Sequence, residues 1–250
     1  MSGRNIAAAL LFGMASIPLT HAGNQTWTRP ADTYLLELPA SVRKVTFTLI
    51  GAGGGGGHGA VARDLPFFNG SPAAGGGGGG GATLICTLVV MPGSSLLVTV
   101  GAGGVASAGG ASGIRIREPG GTISAFTFFA YGGEAGSHGR SRLLSSSPGH
   151  AGRGGKGSTT PDCVLVEGLA GRDARADTPG KGAAANPEEA ARRVAILRGL
   201  KVQRSEQVTA SAADAARAAW CKGAGMGGDG GVAAHNDGRP GSDGCVSIDY

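Results

Sequence analysis

The chain has 250 residues, of which 50 are glycine, about three times the usual share. Collagen is excluded because no strict third-residue glycine period runs through it, and disorder is excluded because apolar residues make up 41% and charged ones only 16%. The formal net charge of +5 is spread along the chain, so it does not call for nucleic acid.

Residues 1–22 carry Arg4, an apolar run from Ile6 to Ile17, and then Pro18 to Ala22. This is the layout of a secretory signal peptide, and it is too short to span a bilayer. A secreted or cell-surface protein is therefore expected, with a mature chain opening at Gly23. No other segment is long and apolar enough to be a membrane span.

Trp27-Thr28-Arg29-Pro30 leads into a short strand at Tyr34 to Leu38. Val45, Phe47 and Leu49 alternate with Lys44, Thr46 and Thr48, the period of a half-buried strand. Gly51-Ala52 and five further glycines follow directly. A second run, Gly75 to Gly81, feeds another strand, Ala82 to Val90. With Met91-Pro92-Gly93-Ser94 as turn and Leu96 to Val100 returning, residues 82–100 read as an antiparallel hairpin. Ile114 to Arg117, a turn at Pro119-Gly120-Gly121 and Ile123 to Tyr131 read as another, and Cys245 to Tyr250 is the last strand.

Seven ordered glycines in a row cost about 1–2 kcal/mol each in backbone entropy. Side-by-side extended helices with three residues per turn offer the compensation. Their N–H and C=O groups point outward, and only glycine lets neighbours approach closely enough to bond. The fold class is thus mainly β, an antiparallel sheet or sandwich with packed polyglycine II helices and a small α-helical insertion.

Between 141 and 222 charge and alanine rise. Asn186-Pro187-Glu188-Glu189 is a helix start, with Ala190, Val194 and Leu197 on one face, and a second helix is expected from Ser211 to Trp220. The expected organisation is a leader at 1–22, a glycine-rich β module at 23–140, an insertion with helices at 141–222, and a closing strand at 223–250. Cys86, Cys163, Cys221 and Cys245 suit an oxidising compartment and allow three pairings. Cys163–Cys221, bracketing one segment, and Cys86–Cys245, joining two core strands, are the preferred ones.

Trp27-Thr28-x-Pro30, Gly51-Ala52-Gly53, Gly75 to Gly81, Met91-Pro92-Gly93, Val98 to Gly104 and Gly241 to Tyr250 together resemble the glycine-rich domains that end bacteriophage tail-fibre proteins and related bacterial proteins. The likeness covers about 25–140 and 223–250. It implies a β-rich module with packed polyglycine II helices and a role in recognising host surface molecules. A looser similarity is to the glycine-rich ectodomain of anaplastic lymphoma kinase-type receptors, which binds small protein ligands. The leader and the 141–222 segment stand outside the tail-fibre pattern.

Enzyme and cofactor signatures are sparse. Gly51 to Gly56 matches G-x-G-x-x-G formally, but more glycine follows where a phosphate-binding helix should begin. No G-x-S-x-G, C-x-x-C or H-E-x-x-H spacing is present. His58, His138, His150 and His235 sit singly on loops, and Asp229, Asp237, Asp243 and Asp249 lack a calcium-repeat spacing. Gly152 to Gly157 is too short for an arginine-glycine RNA-binding tract. No cofactor, metal or nucleic-acid partner is expected.

Binding groups are expected on loops: Arg63, Phe67, Phe68 and Asn69 between the glycine runs, and His138, Arg140 and Arg142 after the last β hairpin. The expected function is an exported, non-enzymatic, adhesin-like or surface-structural protein. Its partner would be a cell-surface glycan or protein, or further copies of itself in an extracellular or virion layer. The alternative is a secreted enzyme using Glu188, Glu189, Arg193 or Asp214 of the 141–222 segment.

Overall fold

The computed structural model describes residues 23–61, 71–142, 145–158, 163–197, 221–233 and 237–250. The expected leader, the second helix from Ser211 to Trp220, and Arg63, Phe67, Phe68, Asn69, Asp214 and His235 lie outside the described residues. In chain order the strands are β1 (Asn24–Trp27), β2 (Ala31–Glu37), β3 (Lys44–Ile50), β4 (Thr83–Val89), β5 (Ser95–Val100), β6 (Ser112–Arg117), β7 (Ile123–Ala130), β8 (Arg140–Arg142), β9 (Ser145–Ser147), β10 (Cys163–Val166) and β11 (Cys245–Asp249), with α1 (Pro187–Leu197) before the last.

One antiparallel sheet has the order β1-β11-β3-β4-β10 and a second the order β2-β5-β6-β7. They face each other as a sandwich. Val45, Phe47 and Leu49 of β3 and Leu84 and Cys86 of β4 meet Leu96, Val98, Ile114 and Phe128 in one core, with Phe47 and Phe128 edge to face at 5.2 Å. The period-two pattern read in the sequence is what places these side chains on one face of each sheet.

The 114–131 hairpin forms as read, turning through Gly120 and Gly121 at positive φ. The 82–100 hairpin does not. β4 pairs with β3 and β10, and β5 pairs with β2 and β6, so the turn at Met91 to Ser94 is a corner between sheets. The physical reason is that both strands are apolar on alternate residues, and placing them in opposite sheets buries Leu84 and Cys86 against Leu96 and Val98.

The disulfide pairing is also corrected: the bonds are Cys86–Cys163 and Cys221–Cys245. Antiparallel pairing of β10 with β4 sets Cys163 directly opposite Cys86, with Cα atoms 4.3 Å apart. Cys245, on the other face of β11, then meets Cys221.

Beyond the sheets the glycine runs are extended rods bonded sideways with a period of three. In the 74–82 rod, Gly76, Gly79 and Ala82 donate to Ser137, Glu134 and Tyr131, while Gly77 and Gly80 donate to Arg172 and Leu169. Gly75, Gly78 and Gly81 donate to Gly231, Gly228 and Gly225. Its carbonyls accept from Gly51, Gly54 and Gly57, from Gly149, Gly152 and Gly155, and from Gly180 and Ala183, all at 2.8 to 3.1 Å. Six rods therefore surround it, three receiving its N–H groups and three supplying theirs. The 51–59 rod is enclosed in the same way by residues 74–82, 101–104, 107–111, 131–139, 225–231 and 237–244. These are the two runs where nearly every residue is glycine, because every direction around them holds another backbone.

Much of the described part of the 141–222 stretch is therefore packed into the glycine module. It supplies the 149–157, 168–176 and 179–185 rods around the 74–82 rod, and β10 at the edge of a sheet. Among the described residues of this stretch, α1 is the part that departs from the module. Asn186 Oδ1 accepts the Glu189 N–H as its cap at 3.2 Å, and Ala190, Ala191 and Val194 pack on Ile85 and Val166.

Candidate recognition tip

The 51–59, 74–82, 101–104, 107–111, 131–139, 168–176 and 237–244 rods each run at one end into a strand of the sandwich, and the 179–185 rod runs into α1. At the other end the rods are joined by the segments 60–73, 140–148, 175–178 and 232–237. An antiparallel bridge between Ala60 and Ala73 pins the base of the first, and β8 pairs with β9 to form the second as a small hairpin. Three of these connections touch. The Ser141 hydroxyl donates to the Ser71 carbonyl at 2.9 Å, and the Gly139 N–H to the His58 carbonyl at 2.9 Å. The His58 and His138 rings stack in parallel with centroids 4.7 Å apart.

The polar chemistry of the stack is specific. His138 Nδ1 accepts the backbone N–H of His58 at 2.9 Å, which places any proton of the neutral ring on Nε2. His58 Nδ1 lies 3.3 Å from the Gly238 N–H and 3.0 Å from Asp237 Oδ1. As a neutral ring it accepts from Gly238, and as a cation it donates to Asp237. Both arrangements tie the 232–237 connection to the first two.

Beside the stack is a groove of about 500 Å³ lined by Ser137, His138, Arg140, Ser147, Pro148 and His150. Its floor is buried glycine, and its walls offer two hydroxyls, two imidazoles and a guanidinium. The His150 N–H bonds to Ser137 Oγ at 2.6 Å, and Asp173 Oδ1 accepts the Ala151 N–H at 2.7 Å while standing 3.8 Å from His150 Nδ1. Arg140 and Arg142 are exposed and make no ion pair among the described residues. Thus His138 and Arg140 share one site, as the sequence placed them on one loop, and Arg142 stands on the hairpin above.

A second groove of about 520 Å³ runs past Pro179, Lys181, Asp229, Val232, Asp237 and Arg239. Burial opposes ionisation of Asp229, but the Gly182 N–H at 2.9 Å and the Lys181 ammonium at 3.0 Å outweigh it and hold its carboxyl below the ordinary value. Asp243 accepts the Gly103 N–H at 2.8 Å. These aspartates tie rods together, and among the described residues no group of three His, Cys, Asp or Glu is placed to hold a metal.

Of the residues named for an enzyme, Glu188 lines a groove of about 520 Å³ with Leu169, Asn186, Lys222 and Met226, and Asp214 lies outside the described residues. Glu189 is bound by Arg193 and Arg192 on the surface of α1, and those bonds lower its carboxyl below the ordinary value. Glu188 is a first-turn acid, which favours the helix start.

Ser137 and Ser147 were not singled out from the sequence, and His150 and Asp237 were weighed there only as metal ligands. A signal was present: Gly133, Gly136 and Gly139, like Gly149, Gly152 and Gly155, recur every third residue, which marks a rod and hence a connection at its end. Among the described residues no helix is long and apolar enough to cross a membrane. No curated protein matches the chain. A family profile described as a glycine-rich domain matches residues 28–250, and the enclosed glycine rods are the physical content of that match: the chain belongs to the glycine-rich domain family.

Proposed function

We propose that this protein is an exported, non-enzymatic adhesin of the kind that ends a tail fibre, recognising a cell-surface glycan or protein through the tip of its glycine array. What supports this reading is the meeting of Ser71, Ser141, His58, His138 and Asp237 at the end of the array away from the sandwich. A surface so built can change its side chains while the buried backbone beneath it stays fixed. Exposed arginines beside imidazoles and hydroxyls suit a polar partner. The leader-like residues 1–22 and two disulfides support export. Glu189 is held by Arg192 and Arg193 on the exposed face of α1, which suits a helix-stabilising role.

The test is binding of the chain from Gly23 onward to a glycan array and to intact cells. It compares the native tip with His138→Ala, Arg140→Ala, Arg142→Ala, and with residues 62–70 replaced by a glycine-serine loop. At least one tip variant is expected to lose binding tenfold or more with its melting temperature unchanged. Full binding by both variants, or binding lost only when Arg115 and Arg117 on the outer face of the β2-β5-β6-β7 sheet are changed, would refute the assignment. Sedimentation separates self-association from recognition of another molecule.

A further inference from the structure

The rods flanking the tip groove also carry charge in register. In the 149–157 rod, burial repeats every three residues: Gly149, Gly152 and Gly155 are buried, and His150, Arg153 and Lys156 are exposed. A methyl group on each of these glycines would strike the Ser137, Glu134 or Tyr131 carbonyl of the neighbouring rod, so the intervening basic residues point away from the array. In that neighbour Tyr131, Glu134, Ser137 and Arg140 are exposed on the same period. The bonds Tyr131 to Lys156, Glu134 to Arg153 and Ser137 to His150 set the two rows side by side.

At three residues per turn and about 3.1 Å per residue, the basic side chains stand about 9 Å apart along the rod. That is close to one Debye length at physiological salt, so they repel one another little. Arg140, Arg153 and Lys156 make no ion pair among the described residues, whereas His150 has Asp173 at 3.8 Å. At the sheet end Tyr131 is 49% exposed and backed by the Phe129 ring at 6.1 Å and 23°. Such a pair offers an electron-rich face to the C–H edge of a pyranose ring.

We infer that this face, from Tyr131 and Lys156 to Arg140 at the tip, is a track for a linear anionic polysaccharide with one carboxylate on every second sugar. A disaccharide of two six-membered rings extends over about one turn of the rod, so successive carboxylates meet Lys156 and Arg153, the third falls at His150 and the fourth at Arg140, and Glu134 accepts hydroxyls of the intervening sugar. Nucleic acid fits less well. Its phosphates recur at about 3.4 Å along a duplex strand, and Glu134 would stand among them. The inference rests on the adhesin reading and names its ligand class.

The test uses the chain from Gly23 onward and an octasaccharide of alternating glucuronate and N-acetylglucosamine. Its carboxyl-reduced counterpart and an oligothymidylate of equal length serve as comparisons, all measured by calorimetry at low and physiological salt. The acidic octasaccharide is expected to bind at least tenfold tighter than either comparison. Arg153→Gln with Lys156→Gln, and Tyr131→Ala, are each expected to weaken it at least fivefold, while Arg115→Gln with Arg117→Gln leaves it unchanged. Equal binding of the carboxyl-reduced sugar or of oligothymidylate overturns the track. So does failure to bind the acidic sugar when the same preparation still binds cells through the tip, which leaves the adhesin reading standing. Absence of both cell and sugar binding sinks both.

Discussion

Replacing Gly78 by alanine isolates the force that orders the glycine runs. Gly78 has no positive φ, so an alanine there meets no intrinsic backbone strain. The added methyl would nevertheless lie 2.1 Å from the Gly54 carbonyl oxygen and 2.7 Å from its carbon. Reaching ordinary contact at 3.4 Å requires the rods to separate by 3.4 − 2.1 = 1.3 Å. The Gly54 N–H to Gly79 bond, now 2.9 Å, cannot survive that shift, and its neighbour from Gly57 to Gly76 at 2.8 Å is stretched with it. A buried polar group stripped of its partner costs about 1–3 kcal/mol. Alanine returns about 0.4–1 kcal/mol by restricting the unfolded chain. For two damaged bonds the net loss is about 1–6 kcal/mol, a large part of a typical domain's stability. Urea unfolding followed by Trp27 fluorescence is the assay, with Ala170→Ser on an outward rod position as control, expected within about 0.5 kcal/mol of the native protein. A Gly78→Ala midpoint equal to that of the control would refute the enclosed-rod account.

Removing residues 149–185 is expected to abolish cooperative unfolding, because it strips three of the six neighbours of the 74–82 rod; a folded deletion product by amide exchange would contradict this. Replacing Cys86 and Cys163 together by serine is expected to cost about 4.5 kcal/mol for a 77-residue separation, and the Cys221 and Cys245 pair about 3.4 kcal/mol for 24, on the loop-entropy relation; denaturant midpoints rank the two. Because the folded carboxyl of Asp229 titrates below its ordinary value, its contribution is complete above the unfolded value and is lost as pH falls through the folded one. Asp229→Asn should therefore flatten the acid limb of stability as pH falls through and below the ordinary carboxylate range, measured as urea midpoint against pH.

The strands were legible because their period of two survives in the sequence, as Val45, Phe47 and Leu49 show. The two pure glycine runs were legible because enclosure on all sides leaves no room for any side chain. Peripheral rods were not, since a rod with one solvent face needs glycine only where it meets a neighbour. His150, Arg153 and Lys156 fill the free positions and make 149–157 look like a charged loop. The disulfides eluded the sequence for a related reason: the place of β10 beside β4 is fixed by rods packed between them in the chain, and no local pattern records that crossing. His138 and Arg140 were found as loop residues, but their company with His150 and Ser147 depends on adjacent rod ends.

Bonds in the array run crosswise to its long axis. A tug on the tip along that axis therefore loads whole ranks of them in shear together, where a zipper would yield one tooth at a time. The sandwich and its two sulfur bridges hold the opposite end. For a molecule gripping a surface in moving fluid, this layout makes the shaft a strut, and failure under tension is expected first at the grip.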